Sequence, residues 1–180
     1  NIIDYPPIAL SYGNTVIHTS TGNKVVKIPI GTYGNFSFVH APPKSKKTFF
    51  LSLLSAAYLG SNPYSGEIRG NRKDKKLLHF DTEQSLFHAT RVFRRAVDMS
   101  GISDNYHTFA LREINYRQRV EVIEQALKDC KNVGLLVIDG IADLVSDPND
   151  IEQSNICVQK LMEWTSVYNC HIITVIHSAF

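Results

Sequence analysis

Apolar positions along this chain switch between two periodicities. From residue 15 to 28, two β-branched runs, Thr-Val-Ile-His-Thr and Lys-Val-Val-Lys-Ile, flank the turn residues Ser-Thr-Gly-Asn and predict a hairpin. Phe36 to His40 is a short strand run, and the two prolines within Ala41 to Lys46 make the next segment a loop. Thr48 to about Leu59 favours helix and is closed by Gly60 and Ser-Asn-Pro. The polar, basic stretch 66–76 reads as a loop that feeds a strand from Leu77 to Phe80, closed by Asp81. Leu86, Ala89, Phe93 and Val97 recur at helical steps, so Ser85 to Met99 is a helix with one apolar face, ended by Gly101. Arg91, Arg94 and Arg95 fall mostly off that face.

The second half repeats the alternation. Tyr106 to Leu111 is a short strand, and Tyr116, Val120, Ile123, Leu127 and Cys130 form the stripe of a helix. Val133 to Ile138 is apolar without interruption and ends in Asp139, the pattern of a strand covered on both faces. Asp147 to Asp150 supply turn and N-cap residues for a helix with Val158, Leu161, Thr165 and Tyr168 in phase, and His171 to Ile176 is a last apolar strand. Strands alternating with helices predict an α/β fold: a mostly parallel central sheet with helices on both faces, preceded by a small β-hairpin. Residues 1–30 are then an N-terminal extension and 31–180 the core. The absence of an initial Met and the stop at Phe180, just after a strand run, lead us to expect a longer protein around this segment.

Composition narrows the class. With 180 residues, 43% hydrophobic and 20% charged, the chain is a single globular unit rather than a disordered or fibrous one. No apolar run reaches the roughly 18 residues of a membrane span, so no membrane partner is expected. Nineteen Lys and Arg against seventeen Asp and Glu give +2, which leaves any polyanion contact to local patches. Three cysteines without a CxxC pair argue against disulfide or zinc frameworks and fit a reducing cytoplasm, as small buried hydrophobes.

In parallel α/β sheets ligands sit at the carboxyl ends of strands, which directs attention to the residues just after each one. The segment Ala41 to Thr48 joins a strand to a helix, where backbone N–H groups and the positive helix end can wrap a phosphate. It aligns with G-x-x-x-x-G-K-[ST], with Ala41 and Lys46 at the two glycine positions. Pro42, Pro43, Lys44, Ser45, Lys46, Lys47, Thr48 and Phe49 are thus the candidate nucleotide-binding set, with Lys47 on the phosphates and the Thr48 hydroxyl on magnesium. A solvated, idle basic loop is the competing reading. Asp139 after its apolar strand is the second candidate metal-side group, or else an ordinary turn aspartate. Glu83, in Asp-Thr-Glu just beyond a strand, can orient and deprotonate an attacking water, while Asp81 caps the turn. His177 ends the last strand and completes a catalytic set with Lys47 and Glu83, or is simply a solvated strand-end histidine. These signals share one edge of one sheet, and that conjunction outweighs each of them singly.

Gly34 to Leu51, Leu77 to Ser85 and Leu135 to Leu144 together resemble the RecA-like P-loop ATPases, in the branch of RepA-type plasmid helicases and their mobile-element relatives. The likeness covers about residues 30 to 180. It implies a three-layer P-loop NTPase fold with the sensor strand between the P-loop and Walker B strands. It also implies ATP and Mg2+ as ligands, Asp139 as Walker B acid, Glu83 as catalytic carboxylate, His177 as sensor, and a homo-oligomeric ring acting on DNA. For DNA, Arg69, Arg72 and Lys73 in a basic loop and Arg94 and Arg95 on a helix face are the candidate contacts, with solvated surface as the bland alternative. The sequence shows no interleaving of aromatic and basic residues that marks a base-stacking platform.

Overall fold

The computed structural model describes residues 5–42, 45–60 and 66–177. Two sheets organise it. Strands β1 (Ile8–Thr19) and β2 (Gly22–Thr32) pair antiparallel around Ser20 and Thr21, and β4 (Ile68–Gly70) adds to the other side of β1, giving the order β2-β1-β4. The second sheet is wholly parallel, with order β3-β8-β7-β5-β6, built from β3 (Phe36–Ala41), β5 (Lys76–Asp81), β6 (Tyr106–Ala110), β7 (Val133–Asp139) and β8 (His171–His177). The last strand therefore lies between the one that leads to Lys47 and the one that ends in Asp139, as the resemblance implies.

Alternation along β7 assigns the layers. Leu135 and Val137 face one cluster, filled by Leu51, Leu54, Ala57, Tyr58 and Leu59 of α1 (Lys47–Gly60). Leu136 and Ile138 face the other, filled by Ile123 and Leu127 of α3 (Tyr116–Asp129) and Leu161 and Trp164 of α4 (Ile151–Tyr168). Helix α2 (Leu86–Ser100) packs beside α1 and buries Ala89, Val92 and Ala96. The fold is α/β in three layers around a parallel sheet, with an N-terminal hairpin. Helix α1 carries no charge after Lys47, because it is enclosed between the parallel sheet and β1/β4, so apolar residues are favoured almost all round it.

Local chemistry fixes the ends of these elements. Asn115 and Gln118 form a reciprocal capping box at α3, Asp150 Oδ1 accepts from the N–H groups of Glu152 and Gln153 at α4, and Gly101 ends α2 in the left-handed region.

Two expectations need correction. The stretch 66–76 is not all loop, because Ile68–Gly70 is a strand whose partner β1 is distant in sequence. Leu86 is not on the buried stripe; it is 65% exposed at the first turn of α2, while Val92 and Ala96 take the inner face.

Candidate functional site

The strand ends converge on one edge of the parallel sheet. Register places Ala41 beside His177 and Asp81 beside Asp139, and because Ile138 pairs with Thr174, β8 and β3 run on past the level at which β7 and β5 end. The turn into α1 leaves that edge. Lys46 has φ 62°, the left-handed conformation for which the P-loop pattern uses glycine, and its carbonyl accepts from the N–H groups of Phe49 and Phe50 at 3.0 and 3.1 Å. The left-handed conformation for which that pattern uses glycine is thus reached by a lysine. Lys47 is buried at 7% exposure, and its Nζ donates to the carbonyl of Pro42 at 2.9 Å, across the mouth of the loop. The ammonium lies inside the turn instead of extending into solvent. Pro43 and Lys44 lie outside the described residues, as do the side chains of Ala41 and His177.

A tight junction joins the Glu83 turn to the end of β7. The Thr82 N–H donates to the carbonyl of Asp139 at 3.2 Å. Thr82 Oγ1 lies within donating distance of the Asp139 carbonyl (2.9 Å), the Gly140 carbonyl (3.1 Å) and Asp143 Oδ2 (2.8 Å). Gly140 has φ 109°, and a Cβ there would overlap Thr82 Oγ1, so the close approach of the two turns depends on glycine. Asp81, fully buried, accepts from the N–H groups of Glu83 and Gln84 through Oδ1 at 3.1 and 2.9 Å, as expected of a turn cap. Its Oδ2 has no hydrogen-bond partner, and burial pushes its carboxyl above the ordinary aspartate value, against the lowering effect of those two donors. Asp139 is buried beside it at 1% exposure.

Two contributors, Asp143 and Arg119, were not singled out from sequence, and a third, Arg95, was singled out only as a candidate DNA contact. Asp143 sits in the 3-10 turn Ile141–Leu144, one turn past Asp139, and holds Thr82. Arg119 of α3 donates to the carbonyls of Leu111, Arg112 and Asp143, tying that turn to the start of α3. Arg95 of α2 lies with its guanidinium 4.8 Å from the centroid of Phe49 and 3.5 Å from Ser52 Oγ. Only the four-residue spacing from Asp139 to Asp143 left a trace in the sequence; the other partnerships join residues remote along the chain.

The candidate DNA contacts do not form one patch. Arg69 is exposed on β4, Lys73 is exposed with φ 53°, and Arg72, half-buried, donates to the carbonyl of Leu59, at the opposite end of α1 from Lys47. Arg94 is exposed on α2, whereas Arg95 is half-buried against α1. Two cation–aromatic pairs involve α2, Arg95 over Phe49 of α1 and Arg91 over Phe87 one turn away on α2 itself.

Among the described residues no group of three or more His, Cys, Asp or Glu is arranged to hold a metal ion. Magnesium typically takes one or two protein oxygens and completes its shell with water and phosphate. A hydroxyl from Thr48 and a carboxylate from Asp139, with the orphaned Oδ2 of Asp81 alongside, are hard oxygen donors that fit a magnesium ion carried in on a nucleotide. Among the described residues no helix is long and apolar enough to cross a membrane.

No curated protein matches this chain. Residues 21–179, spanning the hairpin turn, the Lys47 loop, both acidic strand ends and β8, match the family model of the AAA domain, and the chain belongs to that family of P-loop ATPases.

Proposed function

We propose that this chain binds ATP with magnesium and hydrolyses it as a RecA-like motor or switch core that acts on DNA, in the replication or mobilisation of a mobile element. Residues 31–180 form the ATPase core in this reading and 1–30 an N-terminal extension. The supporting observation is that the Lys46–Lys47–Thr48 turn and the Glu83 turn both follow strands at the carboxyl edge of one parallel sheet, with Thr82 fastening the second turn to the end of the Asp139 strand. Lys47 neutralises charge on the β- and γ-phosphates, and backbone N–H groups at the start of α1 receive the rest. Glu83 orients a water for in-line attack on the γ-phosphate and takes its proton. Asp81 holds Glu83 through the backbone, and His177, at the end of β8, senses the γ-phosphate. When bound at Thr48 and Asp139, magnesium supplies charge neutralisation for the transferring phosphoryl group. A ring of identical copies, as the RecA-like resemblance implies, completes the machine, with Arg69, Lys73 and Arg94 as the exposed cations that meet DNA.

A second reading, a nucleotide-gated subunit that binds without turnover, is favoured by one observation: Lys46 brings a side chain to the position where the phosphate-binding pattern has none. Phosphate release measured with and without single-stranded DNA separates the two. Glu83→Gln should retain ATP binding and lower turnover by about 100-fold or more, whereas Lys47→Ala should raise the nucleotide Kd by roughly tenfold or more, a loss of about 1.4 kcal/mol. Parental turnover in the Glu83→Gln variant excludes Glu83 as the base, and parental affinity in Lys47→Ala excludes the phosphate-binding role of that turn.

A further inference from the structure

Helices α1 and α2 leave the same edge of the sheet, and each begins at one half of the site. α1 opens with Lys47 and Thr48, and α2 opens at Leu86, directly after the turn that holds Glu83. The two helices pack against each other. At the contact, the Arg95 guanidinium lies over the Phe49 ring, 4.8 Å from its centroid, and reaches 3.5 Å from Ser52 Oγ. Ser52 Oγ in turn donates to the carbonyl of Thr48 at 3.1 Å. A continuous path thus runs from α2 through Arg95 to the first turn of α1. Among the described residues no carboxylate forms a salt bridge with Arg95.

The position is electrostatically unusual. The N-terminal turn of a helix carries partial positive charge, so a guanidinium packed there is disfavoured until an anion arrives. Phe49 and Ser52 offset part of that cost through the ring face and a hydrogen bond. A triphosphate bound at the same turn removes the repulsion and attracts the guanidinium, which supplies a differential interaction between the empty and loaded states. Such a difference is what a coupling between two elements requires.

We propose that Arg95 is a positioning residue that couples nucleotide occupancy at the start of α1 to the placement of Glu83 at the start of α2. It acts through Phe49 and Ser52 and does not touch the nucleotide. Arg95 is thereby assigned inside the ATPase unit instead of on a DNA-binding face. The inference rests on the nucleotide-binding reading above and adds a part that can fail independently of it.

The test combines binding, turnover and amide hydrogen exchange on the parent chain, Arg95→Ala, Arg95→Lys and Phe49→Leu, each with and without ATP analogue and magnesium. In the parent, nucleotide should slow exchange both at the first turn of α1 and at the Glu83 and Gln84 amides that donate to Asp81. In Arg95→Ala, protection at α1 should persist with a Kd within about threefold of the parent, while protection at Glu83 and Gln84 is lost and kcat falls roughly tenfold, or about 1.4 kcal/mol in barrier. Arg95→Lys, which keeps charge over the ring without the planar guanidinium, should recover part of the lost protection. The Phe49→Leu effect should be non-additive with Arg95→Ala.

Protection at Glu83 in Arg95→Ala equal to the parent overturns the proposal, as does a parent in which nucleotide protects α1 alone. A lowered Tm with unchanged kcat and unchanged exchange response reduces Arg95 to packing. A Kd raised as far as that of Lys47→Ala places Arg95 on the nucleotide itself and equally refutes an indirect role. No nucleotide response anywhere in the parent would instead remove the nucleotide-binding reading, and this inference with it.

Discussion

Lys46 shows how one backbone angle can carry more of the site than its side chain. A non-glycine residue in the left-handed region costs roughly 1–2 kcal/mol, and the cost is borne here so that the loop can turn back over Lys47 while the Lys46 carbonyl starts α1. Lys46→Gly relieves that strain. The gain is reduced by the greater freedom of glycine in the unfolded chain, so the net stabilisation is about 0.5–1 kcal/mol, seen as a Tm higher by roughly 1–4 °C. Nucleotide affinity should be retained or increased, since the backbone path is unchanged. A weaker Kd in this variant, read by titration calorimetry, would show that the Lys46 side chain holds phosphate. The requirement for positive φ was readable from the sequence because the phosphate-binding pattern has glycine there. The Arg95–Phe49 contact and the Thr82–Asp143 bond were not readable, because neither partner has a fixed spacing from the other and both depend on how elements remote along the chain come together.

At the scale of elements, the parallel sheet was legible because its strands are short, apolar and separated by helices with clear stripes or caps. The N-terminal sheet was legible only in part. Pro29 reads as the end of a strand, since proline removes a ladder donor, yet β2 continues to Thr32 because it is an edge strand. β4 escaped notice because only Ile68 of its three residues is buried and its pairing with β1 is long-range. A glycine makes this second sheet fit. A Cβ at Gly70 would overlap the Ala57 carbonyl and press on the Tyr58 backbone, so β4 rests directly on the C-terminal half of α1. Gly70→Ala should therefore destabilise by about 1–3 kcal/mol through overpacking. Denaturant midpoints measure it, and a midpoint equal to the parent's would mean that β4 can lift from α1 without loss. The Lys47 end of α1 is remote from this contact, so any ATP affinity of the folded fraction should be preserved.

For the whole molecule, the two sheets and the helix layers are joined by buried groups whose charge state follows pH. His171, on β8, donates through Nδ1 to the Thr32 carbonyl of β2 at 2.9 Å, and its Nε2 lies 3.0 Å from Ser37 Oγ, a hydroxyl that also reaches the Ile30 carbonyl of β2 at 3.1 Å. Its ring fills the space above Gly31, where a Cβ would overlap it, so the imidazole is the joint between the N-terminal sheet and the core. His79, fully buried on β5, bonds Tyr106 through Nδ1 and meets Phe93 edge-on, joining the sheet to α2. Burial lowers His171 to about 4 and His79 to about 3. An unfolded histidine titrates near 6.5, so between that value and the lowered ones the unfolded chain binds more protons than the native one, and stability rises with pH. The contribution is complete above about pH 6.5 and is lost as pH falls toward 4 and then 3, on the order of 3–5 kcal/mol for each histidine. Asp81, raised by burial, has the opposite slope, but it acts from the carboxylate range upward and adds one group against two. Urea midpoints taken from pH 8 to pH 5 should fall steadily below about pH 6.5, and His79→Leu should flatten that limb while leaving the His171 share. A midpoint that stays level down to pH 5 would mean that the native state admits protons at both of these rings, so that the joint between the sheets loosens before the chain unfolds.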